Sequence, residues 1–140
     1  MANEAVVVVK IENAIPYVVA DGAGIAKGTL CKLSDGRVAV ASTAINDKIA
    51  GIAAREKVIS DGRTELGIYM RCIARMTLSG TVTVGDAVAS ASDANWPNYV
   101  YSAAITCSGA NIIGHALQSG TVGQEKLIYV NVGAGGNQQS

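Results

Sequence analysis

The stretch TLCKLSDGRVAVAS, from Thr29 to Ser42, decides the fold class. Two short apolar runs, Thr29–Leu33 and Arg37–Ser42, flank Ser34-Asp35-Gly36. An Asp-Gly pair takes the backbone readily through a tight antiparallel turn, so the segment reads as a β-hairpin. The same grammar continues in both directions. Upstream, Pro16–Ala20 closes on Asp21-Gly22, and before it lies the extended run Ala5–Ile11 (AVVVVKI). Downstream, Ile49–Ala53 follows the Asn46-Asp47 turn, and Ser60-Asp61-Gly62 precedes Thr64–Met76, which reads as one long strand bent near its end. Thr81–Val84, Asp86–Ser90, Tyr99–Ala103, Ile112–Leu117 and Lys126–Val132 complete the strand set. With 16 glycines as punctuation and few helix signals, the chain reads as all-β, folded into a compact barrel-like body. The Ala-rich runs 41–45 and 50–54 leave one helical turn open as an alternative there.

The chain also repeats itself. Gly28-Thr29-Leu30-Cys31 parallels Gly85-Asp86-Ala87-Val88, Ile49–Ala53 parallels Ile112–Ala116, and Gly67–Met70 parallels Leu127–Val130. The spacing stays near 60 residues, as expected of two related β-units sharing one body. Residues 1–12 read as an extended arm, 13–132 as the body, and the uncharged GAGGNQQS of 133–140 as a tail. Four consecutive valines do not alternate, so both faces of the arm are expected to be covered, or to lie on a partner by strand addition.

Composition excludes several classes. Eleven basic residues balance eleven acidic ones, leaving no basic stripe for nucleic acid and no polybasic membrane anchor. No apolar run reaches the length of a membrane helix, and the acidic start Met1-Ala2-Asn3-Glu4 is unlike a secretory signal. Phe is absent and aromatics are only 4%, so the core must be built from Ala, Val, Ile and Leu. From Thr77 onward Lys126 is the only Lys or Arg, and long uncharged stretches can be buried on a partner at little desolvation cost. Cys31, Cys72 and Cys107 are odd in number and far apart, which fits buried free thiols made in a reducing cytoplasm.

The residues that could carry chemistry do not assemble into a catalytic pattern. Gly22–Gly28 lacks the Gly-Lys-Ser/Thr of a phosphate loop and leads into a strand rather than a helix. His115 is the single histidine, sits in the apolar run IIGHALQ, and has no GxSxG elbow to serve, so it reads as a structural or interface residue. One His and three scattered Cys give no metal-ligand pair, and Asp35, Asp47, Asp61 and Asp93 occupy turns. The reading is a non-enzyme without cofactor or metal. Arg71 and Arg75 are placed to protect a strand edge or to pair with acids of a neighbouring chain. Trp96, Tyr99 and Tyr101 form the one aromatic cluster, suited to an interface or, alternatively, to a glycan in a small ligand-binding barrel.

Several of these pieces resemble one family. Met1-Ala2-Asn3-Glu4-Ala5-Val6, Ile15-Pro16-Tyr17 through Asp21-Gly22, Ile25–Leu30, Ala50–Lys57, Ser60-Asp61-Gly62 and Asn131-Val132-Gly133 resemble the small capsid decoration (cement) proteins of tailed bacteriophages. The resemblance spans nearly the whole chain, although its motifs are turns and apolar runs. It implies a β-tulip fold with an extended N-terminal arm, and homotrimers on the outer surface of an expanded head. There such a protein bridges major capsid protein subunits and stabilises the shell, so its place is the virion. The contact residues it implies are those of the arm: Ala2, Asn3, Glu4, Ala5, Val6, Val7, Val8, Val9 and Lys10.

Overall fold

The computed structural model describes residues 3–43, 48–91, 98–102 and 112–132. Among these, every regular element is a strand: β1 (Val6–Lys10), β2 (Ile15–Val18), β3 (Leu30–Asp35), β4 (Val38–Ala41), β5 (Ile49–Ala53), β6 (Glu65–Tyr69), β7 (Arg71–Leu78), β8 (Ala87–Ser90), β9 (Tyr99–Ser102), β10 (Ile112–Ala116) and β11 (Glu125–Asn131). The all-β reading holds, including the hairpin at Thr29–Ser42, which forms β3 and β4. Two sequence expectations need correction. Thr64–Met76 is not one strand: it breaks at Met70, because β6 closes one barrel and β7 opens the next. Thr81–Val84 is a turn holding a single bridge, Val82 to Gly120, rather than a strand.

The first barrel closes in the order β2-β4-β3-β5-β6. The second runs β7-β11-β10-β8-β9 and closes through a parallel β7–β9 pairing, with β1 added along the rest of that edge of β7. The two are the same fold in the same chain order. The parallel pair Val18–Val38 of the first recurs as Thr77–Tyr99 in the second. Cys31–Gly51 recurs as Val88–Gly114, Ile52–Tyr69 as His115–Tyr129, and Tyr17–Leu66 as Met76–Lys126. Even the β-bulges at Ala50 and Ile113 coincide. The internal repeat legible in the sequence is therefore a duplication of a five-stranded barrel.

Glycine fixes both copies at one point. Gly51 (φ 148°) and Gly114 (φ 157°) lie against the carbonyl oxygens of Tyr69 and Tyr129, where a Cβ would come within 2.3 and 1.7 Å. A bulge pushes the backbone of β5 or β10 onto its neighbour, and only a residue without a side chain fits.

Five strands enclose a narrow interior, which is filled mostly by small and aliphatic side chains. Tyr17, Cys31, Ala39, Ala50, Ala53 and Ile68 help to fill the first barrel, and Cys72, Ala74, Val88, Val100, Ile113 and Ile128 the second. Leu30, Ile49 and Ile52 of the first barrel belong to the second barrel's cluster, which joins the two units through one apolar contact.

Candidate functional site

The arm is the first feature that local patterning leaves partly unexplained. β1 pairs antiparallel with β7, Val6 opposite Arg75 and Lys10 opposite Cys72, with a register slip between Val7 and Val9. Ala5 is buried and Val7 packs on the second core, so these two anchor the strand. Ala5 N–H also donates to the carbonyl of Gly28 at 2.8 Å, strapping the arm to the first barrel. Val6, Val8 and Val9 are instead 52%, 50% and 46% exposed, and Ile11 follows them outward. Their faces are neither both covered nor polar, which is unusual for an edge strand. Between β1 and the first barrel runs a groove of about 670 Å³, lined by Val6, Val8, Lys10, Lys27, Ala54 and Tyr69 among others. Asn3 and Glu4 lead into it half-buried, and Ala2 lies outside the described residues.

The expected aromatic cluster is only partly placed. Tyr99 and Tyr101 flank the buried Val100 on β9, so both face outward and both are half-buried. Trp96 lies outside the described residues, as do Cys107 and the tail 133–140. His115 projects from β10 with its ring 5.1 Å from that of Tyr129 and tilted by 51°. Tyr129 in turn accepts a hydrogen bond from Arg71 at 3.0 Å, and Arg71 lies 3.6 Å from Glu12. Arg75 is exposed on the same face of β7. The contact shown for His115 among the described residues is this ring contact with Tyr129. Burial pushes the Cys31 thiol up to about 12 and the Cys72 thiol up to about 11, so both stay protonated and unreactive. Among the described residues no three His, Cys, Asp or Glu side chains converge on a metal position.

One cluster was invisible in the sequence. Lys57 is fully buried, and its ammonium lies 2.8 Å from Asp61 and 3.3 Å from Asp21. It also donates to the carbonyls of Val58 and Asp21, at 2.7 and 2.9 Å. Asp61 turns back to accept from the N–H groups of Val58 and Arg63. The cluster pins the loop between β5 and β6 to the one after β2. In the second barrel the equivalent of Lys57 is Gly120, and a Cβ there would meet Leu78 and Lys126 at 2.9 and 2.8 Å. Apolar contact replaces the ionic knot.

The knot sets a pH dependence. Burial opposes the Lys57 charge, but hydrogen bonds and charge from Asp61 and Asp21 outweigh it and raise its pKa above 10.5. The hydrogen bond from Lys57, followed by that from the Arg63 N–H, lowers Asp61 from 3.8 to about 2. A depressed carboxylate stabilises the fold above its unfolded value, and that stabilisation is lost as pH falls from 3.8 through about 2. The raised lysine contributes fully below 10.5 and loses its contribution as pH rises through its folded value. Urea midpoints of the wild type are expected to drop between pH 4 and pH 2 more steeply than those of Lys57→Met, which lacks the partner that depresses Asp61. Parallel slopes would contradict the assignment.

No protein-family model matches the chain, and no curated protein sequence matches it. A solved structure does: the head fiber gp8.5 N base of bacteriophage phi29, with a TM-score of 0.53 over 84% of this chain and 92% of that one, at 15% identity. The two share a fold. What this likeness establishes is the architecture, a compact all-β body; the residues on its surface are this chain's own.

Proposed function

We propose that this chain is a non-enzymatic structural protein of a bacteriophage head. It decorates the outer surface of the expanded capsid, as homotrimers, and stabilises contacts between major capsid protein subunits. The observation that carries the proposal is β1: a strand anchored by Ala5 and Val7 that presents Val6, Val8 and Val9 to solvent beside an open groove. Exposed valines in a row are costly in a free chain and useful in one that adds to a partner. Two further facts support the reading. The fold is shared with a head fiber protein of bacteriophage phi29. The resemblance of the chain's turns and apolar runs to decoration proteins points the same way.

The mechanism is additive. Each copy contributes modest apolar burial and strand pairing across a seam between subunits, and capsid symmetry multiplies the contribution. Expanded heads saturated with the protein are therefore expected to release DNA at a higher temperature than bare heads. Equal release temperatures at full occupancy would sink the stabilising role.

A further inference from the structure

Alternation along β7 turns Cys72, Ala74 and Met76 into the core and leaves Ile73 and Arg75 facing outward. Strand pairing extends these outward positions into two rows across the wall of the second barrel. One row runs Leu127, Arg75, Val6, and Leu117 joins it by donating its N–H to the Leu127 carbonyl at 2.9 Å. The next runs His115, Tyr129, Ile73, Val9. Val6, Val9 and Leu117 are exposed, while Leu127, Tyr129 and Ile73 are half-buried. An apolar face thus spans β11, β7 and β1, interrupted within the two rows by Arg75 and His115. Where the first barrel sets Pro16 opposite Gly67, this one sets Arg75 opposite Leu127.

Arg75 decides what can cover this face. It is exposed, and its cross-strand neighbours are Val6 on one side and Leu127 on the other. Anything that seals the apolar rows therefore takes this guanidinium out of water as well. That is costly unless the partner brings a carboxylate to it. The acids around the face are placed elsewhere: Glu12 lies 3.6 Å from Arg71, and Glu125 stands at the end of β11, opposite the buried Thr77. A second copy docked by the same face across a two-fold axis would bring Arg71 and Arg75 toward their own equivalents, like charge against like.

We propose that this face receives an apolar segment of the major capsid protein that carries an aspartate or glutamate. Its carboxylate pairs with Arg75, and its apolar side chains cover Val6, Val9, Tyr129 and Leu127. An arginine and a tyrosine amid aliphatic side chains match the composition of interface cores, where charge is otherwise sparse. The inference rests on the head-binding reading above and adds to it the chemistry of the partner. Because β1 forms one margin of the face, its exposed valines and Arg75 belong to a single contact.

Binding of the full chain to expanded heads assembled without it, read as the free concentration at half saturation, tests the pairing. Arg75→Met keeps a long side chain and makes the face more apolar. It is expected to weaken binding about thirtyfold or more, because it strands the partner's carboxylate in the contact. Arg75→Glu adds repulsion and is expected to weaken binding about a hundredfold or more. Leu117→Asp, across the face from β1, is expected to weaken it too, which pairing along the edge of β1 alone would not explain. All these side chains are exposed, so urea midpoints close to that of the wild type are expected. Wild-type affinity in Arg75→Met, or a gain, would overturn the proposal and leave the head-binding reading standing. Wild-type protein that does not bind heads at all would remove that reading and the proposal with it. Self-association of the free wild type that Arg75→Glu abolishes would give the face to a second copy, and so would also overturn it.

Discussion

Replacing Gly114 by alanine is expected to destabilise the chain by about 3–5 kcal/mol, from positive-φ strain and overpacking combined. The Cβ would sit 1.7 Å from the Tyr129 carbonyl oxygen, which is backbone and cannot swing aside. Relief requires β10 to separate from β11, and that opens the second barrel. The duplication makes the prediction double: Gly51→Ala should cost nearly as much, since its Cβ would meet the Tyr69 carbonyl at 2.3 Å. Gly36→Ala is the control, with open space around its Cβ and an expected change within about 0.5 kcal/mol. Chemical denaturation of the three variants decides the matter. If Gly51→Ala and Gly114→Ala unfold at the wild-type midpoint, the shared bulge is not what holds the two barrels closed.

Leu30→Ala follows, at about 2–5 kcal/mol, the range for removing a buried leucine whose surroundings only partly collapse. Leu30 is fully buried, yet it faces out of its own barrel and into the cluster of the other. The loss therefore falls on the joint between the units. Asn98→Ala removes the acceptor of the Leu30 N–H and should cost about 1–3 kcal/mol by leaving a buried donor unpaired. Since the two changes strike one contact, the double variant is expected to lose less than the sum. Strict additivity would show that Asn98 and Leu30 stabilise the chain separately. Biphasic unfolding of Leu30→Ala would be further support, because two barrels uncoupled at their joint need not melt together.

Much of this fold was legible because its constraints are local. The paired glycines Gly28/Gly85 and Gly51/Gly114 carry their geometry in their residue type, and so the repeat could be read directly, whereas the hairpin turn takes its left-handed φ at Arg37, one residue past the Asp-Gly pair that announced it. The break at Met70 could not, since strand-forming residues lie on both sides and only barrel closure separates them. Val82 has strand-like neighbours but meets only Gly120, a partner 38 residues away that local pattern does not name. Lys57 is the clearest omission. Arg55-Glu56-Lys57 reads as ordinary solvated charge, and nothing in those three residues announces that Asp21 will meet the ammonium. The arm was half legible: four valines foretold an extended strand, while its pairing with β7 depends on a segment more than 60 residues on.

The exposed valines also dictate how the proposed function should be probed. Deleting the arm would strip Ala5 and Val7 from the core and confuse misfolding with lost contact. Val6→Asp/Val8→Asp changes only outward side chains and leaves both anchors in place. The decisive measurement is co-sedimentation of the protein with expanded phage heads assembled without it. The account predicts saturable binding at a fixed number of copies per head, lost in Val6→Asp/Val8→Asp. Absence of wild-type binding to such heads, or undiminished binding by the folded variant, would contradict it.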